Sequence, residues 1–262
     1  MSQSVILIYI DAGTFGGASR LMRAIAQELP PAQYQMRAVM GVEVAEDAHL
    51  FDNAVLFVMP GGADKPYCAA LNGQGNKRIK DFVLGGGAYL GVCAGGYYGC
   101  REIAYHKGRI DEICEPRELS FVDACATGSL PELTNGLLYD ESPRSAAAPL
   151  IILADGTVAH VHYNGGCRFD FARPDAARVV AIYKQIEGTP PAIVTARCGL
   201  GQAVLTGVHL EMSALEYRDV LRSHTDGADY VHLADALEKT DAERPTIWRK
   251  VLSLAGLGLK PR

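Results

Sequence analysis

Cys93 lies in the stretch GVCAGGYYGC, residues 91–100, among four glycines and directly after the apolar run AYLGV. An ionised thiol is a strong nucleophile, and acyl transfer to it also needs a base and a site for the oxyanion. Gly91 stands two residues before the cysteine and Gly95 two after, which gives G-x-C-x-G, the small neighbours that a sharp strand-to-helix turn requires. A helix beginning at Ala94 would point its N-terminus at the sulfur and favour the thiolate. The same pentapeptide also fits a small buried hydrophobe in a tightly packed glycine loop, and alone it does not choose. GVHLEMS at 207–213 supplies His209 as a base and Glu211 as a carboxylate to orient it. Pro60-Gly61-Gly62 closes another apolar run, AVLFVM. Two glycines there can turn a backbone N–H inward, with the N–H of Ala94 as a second oxyanion donor. Each feature singly suits an ordinary loop, but jointly they make nucleophile, base, orienter and oxyanion site.

These residues need elements that bring strand ends together. SVILIYI at 4–10 predicts a strand, DAGTFGGAS a loop and LMRAIAQEL a helix. Further strands are expected at 54–60 and 88–92, a glycine-closed helix at 76–87, and a helix over 94–106. On that helix Cys100 would lie about two turns from Cys93, out of reach as a resolving thiol. Continuous apolar strands alternating with helices argue for a parallel sheet covered on both faces, whose functional groups gather at the carboxyl ends. In the second half, 150–166 reads as two strands joined at Asp155-Gly156, and strands continue to Glu211 as antiparallel additions. DESPRSAAAP at 140–149 is expected to be a surface loop, and 213–224, 228–239 and 242–254 to be helices. The organisation expected is an α/β domain over 1–212 with a helical extension, 213–262, packed on it.

Composition excludes several classes. The formal net charge is -5, with no basic block beyond NKRIK at 76–80, so neither nucleic acid nor a membrane surface is an expected partner. VILIYI at 5–10 is too short for a signal core, and no run approaches the roughly 18 apolar residues of a membrane span. Seven widely spread cysteines fit a reducing compartment, and a cytoplasmic location is expected. His160 and His162 alternate on an expected strand without further clustered ligands, so no metal is expected. Gly85–Gly87 lack a following G-K-[ST], which rejects a P-loop, and no cofactor is expected.

PGG at 60–62, GVCAG at 91–95 and HLE at 209–211 resemble the three marks of class I glutamine amidotransferase-like domains, in that order. The chain is more closely similar to the amidotransferase-like N-terminal domain of eukaryotic-type biotin-protein ligases, in PGGADKPY (60–67), GVCAGGYYG (91–99), HYNGG (162–166) and the opening IYIDAGTFGGASRL. The resemblance covers about residues 4–212. It implies a flavodoxin-like α/β fold: an open, mixed, mostly parallel sheet with helices on both faces. It also implies Cys93 as nucleophile, His209 as base, Glu211 as its orienting acid, and Gly62 and Ala94 as oxyanion donors. Gly61, Tyr67, Tyr97, Tyr163 and Asn164 become candidate substrate-binding residues. Glutamine-hydrolysing members carry G-x-C-x-G-x-Q, and here the last position is Tyr97, whose phenol lacks the donor–acceptor pair of an amide. The expected activity is thiol-dependent hydrolysis or amidotransfer on a small amide or ester-like carbonyl. The chain has no GRGRxG-like ligase segment and no ammonia-accepting synthetase domain, so a synthetase or biotin ligase would be a separate partner. The alternative is a catalytically silent module that binds a metabolite or regulates such a partner. A redox protein on a related scaffold is disfavoured, because those relatives place histidine where Ala94 stands.

Overall fold

Nine strands form one sheet in the computed structural model, in the order Val158–His160, Leu150–Leu153, Arg178–Tyr183, Pro191–Cys198, Gly201–Thr206, Ala88–Val92, Ala54–Met59, Ser4–Tyr9, Tyr34–Val39. The structure describes residues 3–14 and 16–261; Met1, Ser2, Phe15 and Arg262, which the expected domain limits and first loop include, lie outside the described residues. The last five strands of that order are mutually parallel, and the first four are antiparallel additions. Gly156 turns the Leu150–Leu153 and Val158–His160 hairpin with φ 88°, the left-handed conformation that glycine adopts without strain.

Strand alternation sorts the apolar residues onto two faces. Ile6, Ile8, Leu56, Val58 and Leu90 face one layer, where Leu21 and Ile25 of the Gly17–Glu28 helix meet Trp248 and Val251 of the Arg244–Leu254 helix. Leu7, Tyr9, Phe57, Met59 and Tyr89 face the other, against Ile79 and Val83 of the Gln74–Leu84 helix. The last helix is thus part of the main core, and Trp248 Nε1 donates to the carbonyl of Ala24 at 3.2 Å. The helices Ala214–Leu221 and Val231–Glu238 pack together through Tyr217, Leu221, Ala234 and Leu237 against Ala146. Among the described residues no helix is long and apolar enough to cross a membrane.

Two expectations are corrected. The helix after Cys93 spans only Ala94–Tyr98, and Cys100–Tyr105 is a strand. It sits in a second sheet, ordered Cys167–Phe171, Val122–Gly128, Cys100–Tyr105, Ile113–Pro116. The carbonyl of Gly99 accepts the N–H of Phe121 at 2.9 Å, which starts that sheet where a helix would have continued. Cys100 is consequently buried among strands, not two turns along a helix. Residues 140–149 are also more ordered than a surface loop: Pro143–Ser145 forms a 3-10 turn, Ala146–Ala147 pairs with Tyr163–Asn164, and Ser145 is buried.

Because these five neighbouring strands are parallel, their carboxyl ends share one edge. The segments following Tyr9, Met59, Val92 and Thr206 meet there, which places residues 11–14, 60–62, 93–94 and 207–211 around a single hollow.

Candidate active site

Cys93 adopts φ 52°, ψ −108° between the Ala88–Val92 strand and the Ala94–Tyr98 helix. A positive φ strains a residue bearing a Cβ and persists only where the surroundings impose it. Here they do: the Cys93 N–H donates to Thr206 O at 2.8 Å, and its carbonyl accepts from Gly96 and Tyr97 at 2.8 and 3.0 Å. Gly95 donates to Pro60 O at 3.1 Å, and a Cβ on Gly95 would lie 2.1 Å from the Met59 carbonyl oxygen. Only glycine lets the turn come this close to the neighbouring strand. Cys93 is 6% exposed, and its Sγ is 3.8 Å from the carbonyl oxygen of Asn164.

His209 leaves the end of the Gly201–Thr206 strand and is anchored by its own N–H, which donates to His162 O at 2.8 Å. Its Nδ1 is 2.7 Å from Glu211 Oε1. Nε2 is therefore left for the side of Cys93. A Cβ on Gly61 would lie 2.7 Å from His209 Cε1 and 3.3 Å from Cys93 Cβ, so the Gly61 backbone fills the angle between the two side chains. Burial by itself pushes the imidazole pKa down. The charges of Glu211 and Cys93, with hydrogen bonds to both, outweigh that and raise it to about 10. Burial likewise favours neutral Glu211, but the facing imidazolium outweighs it and holds the carboxyl below its ordinary range. Glu211 on one side and Cys93 on the other both favour the protonated imidazole.

Two cavities meet at the sulfur. One, of about 260 Å³, has Arg20, His162, His209, Glu211, Tyr217 and His224 in its wall. The other, of about 140 Å³, has Ala94, Tyr97, Ile103, Tyr105 and Ile113 in its wall. Cys93, Gly62, Asn164, Tyr139 and Glu141 border both. Gly61 lines the first and Ala94 the second, so residues expected to supply nucleophile, base and oxyanion donors all reach this hollow. Ala94 is the first residue of its helix, and its N–H has no carbonyl one turn earlier in that helix to bind. Gly62 has φ 145°, and a Cβ there would lie 1.8 Å from Gly13 O.

Three tyrosines expected at the substrate stand differently. Tyr67 lines neither cavity: it is fully buried beneath the loop, with its hydroxyl facing Gly61 O at 3.1 Å and Pro60 O at 3.3 Å. Tyr163 is also buried away from both cavities. Its hydroxyl accepts the Leu130 N–H at 2.6 Å and donates to Gly166 O at 3.0 Å. Tyr97 offers its ring to the smaller cavity, while its hydroxyl faces Gly166 O at 2.8 Å and Gly165 O at 3.1 Å. Tyr67 and Tyr163 thus fill space behind the wall, and Tyr97 contributes its ring to it. Tyr97→Phe should strand the buried Gly165 carbonyl, while Gly166 O keeps the Tyr163 hydroxyl, and destabilise the fold by about 1–3 kcal/mol. Urea unfolding reads this as a lowered midpoint; an unchanged midpoint would refute the bracing role.

Sequence reasoning missed Arg20, Tyr139, Glu141, Tyr217 and His224. Arg20 had a signal, since it stands one helical turn after the loop that leaves the first strand. Tyr139 has none, because its place depends on Ser129: the Ser129 hydroxyl accepts the Tyr139 N–H at 3.2 Å and is itself 2.9 Å from His106 Nε2. His106 Nδ1 in turn lies 2.6 Å from Asp111, but this Ser–His–Asp chain borders neither cavity and supports the wall. Among the described residues no group of three or more His, Cys, Asp or Glu side chains could hold a metal ion.

Comparison with known proteins agrees with this fold. A glutamine amidotransferase from Thermotoga maritima matches with a TM-score of 0.57 at 12% identity, over 97% of this chain and 99% of its own. PurLQS from the same organism matches with a TM-score of 0.51 at 13% identity, over 96% and 99%. At such identities the likeness shows the fold alone: the class I glutamine amidotransferase-like, flavodoxin-like arrangement. An uncharacterised protein of Chlamydia muridarum is 34% identical over 213 residues, 80% of this chain and 82% of that one. The biotin–protein ligase of Schizosaccharomyces pombe is 35% identical over 211 residues, 76% of this chain but only 32% of the ligase. The family model for the N-terminal part of biotin-protein ligase matches residues 4–262, the C-terminal helices included. With the elbow, the PGG loop and the HLE segment gathered at one sheet edge, the chain belongs to the biotin-protein ligase N-terminal family.

Proposed function

We propose that this chain is a cysteine-dependent, amidotransferase-like hydrolase that forms an acyl-thioester on Cys93. The observation that carries the proposal is the strained Cys93 backbone beside the buried His209–Glu211 pair. The Cys93 thiolate attacks a carbonyl carbon, and the developing oxyanion meets the N–H groups of Gly62 and Ala94. His209, already protonated, hands its proton from Nε2 to the departing amine, while Glu211 holds the ring through Nδ1. The neutral imidazole then takes a proton from water as the water attacks the thioester, which frees the acid and restores Cys93. The substrate is a small amide or ester-like carbonyl other than glutamine: Tyr97 occupies the family's glutamine position, and its hydroxyl is engaged by the carbonyls of residues 165 and 166.

Iodoacetamide with mass-spectrometric mapping tests the nucleophile. Cys93 should alkylate ahead of the other six cysteines, and His209→Ala should remove that advantage. Uniform labelling, or labelling indifferent to His209, rejects an activated thiolate. It would instead favour a silent module that regulates a partner, for which the likeness to part of a biotin–protein ligase is the supporting observation.

A further inference from the structure

The larger cavity contains a cation that the acyl-transfer chemistry does not use. Arg20 lies in its wall on the first turns of the Gly17–Glu28 helix, and among the described residues its guanidinium forms no hydrogen bond or ion pair. An arginine left unpaired beside a cavity is poised for a ligand, because its planar fork matches a carboxylate bidentately. Gly17, the first residue of that helix, lines the same cavity, and the first turn carries no acidic residue to offset its positive end.

An independent observation lies across from it. His162 is 5% exposed and lines the cavity, yet neither ring nitrogen has a hydrogen-bond partner among the described residues. Buried ring nitrogens are normally satisfied, so this imidazole is kept for something that enters the cavity. Burial first, then the charges of His209 and Arg20, hold its pKa well below the ordinary value. It is therefore a neutral ring with one N–H to donate. Tyr217 packs against it, with ring centroids 4.6 Å apart, and fixes its plane.

We infer that Arg20 and His162 form a carboxylate-binding subsite, so that the substrate is an amide or ester whose leaving portion bears a carboxylate. The placement follows from the chemistry: His209 lines only the larger cavity, and the group that receives its proton must lie on that side. The competing charges are Glu211, held by His209 through Oε1 but also within the electrostatic reach of Arg20, and Glu141, which is exposed at the rim common to both cavities. Neither forms a salt bridge or hydrogen bond with Arg20 among the described residues, so its guanidinium fork is open to a ligand. The inference rests on the acyl-transfer reading, which assigns the leaving side.

Two chloroacetyl reagents test it on the full chain. N-chloroacetylglycine carries a carboxylate, and N-chloroacetylglycinamide is its neutral match. Their alkylation rates at Cys93 are divided by their rates with glutathione. In the wild type the acid should be favoured roughly tenfold, as expected for a charge-assisted bidentate contact. In Arg20→Gln the ratio should fall to that of the free thiol. No preference in the wild type, or a preference that survives Arg20→Gln, overturns the assignment. A second measurement needs no variant: millimolar N-acetylglycine should slow iodoacetamide labelling of Cys93 more than N-acetylglycinamide does, and equal protection likewise overturns it. Failure of the acyl-transfer reading looks different, because Cys93 would then lose its advantage over the other cysteines with iodoacetamide itself.

Discussion

Glu211→Gln is expected to leave the protein folded and to lower Cys93-dependent turnover by up to about 10⁴-fold, the loss seen when the carboxylate orienting a catalytic imidazole is replaced by its amide. Glu211 is 5% exposed, and its carboxylate is the largest influence raising the His209 pKa. Glutamine keeps the shape and removes the charge. Burial then pulls the imidazole pKa down, and the proton that must reach the leaving amine is lost at neutral pH. Imidazole NMR measures this directly: a titration near pH 10 in the wild type should move to lower pH in Glu211→Gln. The stability consequence has a definite sign. A pKa raised from 6.5 to about 10 contributes stability fully below pH 6.5 and loses it as the pH rises through 10. The wild type should therefore lose stability over that alkaline window relative to Glu211→Gln. An unmoved His209 titration with normal turnover would refute the pairing.

Gly61→Ala should be nearly as damaging to activity, for a steric reason. The added methyl would stand 2.7 Å from His209 Cε1 and 3.3 Å from Cys93 Cβ, and the side chain that yields is the imidazole. Gly61 has no positive φ, so alanine fits the backbone and the fold should survive. With the ring displaced, Cys93 should alkylate as slowly as in His209→Ala, while circular dichroism stays that of the wild type. Wild-type alkylation in Gly61→Ala would mean that His209 does not need its present position to act on the thiol.

Both effects were partly legible in the amino-acid order. Cys93, His209, Glu211 and the PGG loop each end an apolar run, and runs such as AVLFVM and AYLGV state locally that they are buried parallel strands. The helix over 94–106 misled because Cys100–Tyr105 has no local signature of its partners: Ile113–Pro116 and Val122–Gly128 make it a strand. Residues 140–149 misled in the same way. Their Pro, Ser and Asp content suits a loop, yet Ala146–Ala147 is tied to Tyr163–Asn164, and Glu141 and Pro143 border the cavity.

The sequence by itself determined the fold class and the ends of the strands at which chemistry gathers, because parallel topology carries every strand terminus to one edge. Only the tertiary structure decided which side chains at that edge face open space. Tyr67, Tyr97 and Tyr163 looked like ligand contacts, yet their hydroxyls are held by carbonyls from their own and distant segments. Arg20 carried no motif, yet its guanidinium stands in the wall without a hydrogen bond, beside His162, whose ring nitrogens have no partner among the described residues. Hydrogen-bond satisfaction depends on neighbours brought from across the chain, and so it is settled by packing and not by spacing.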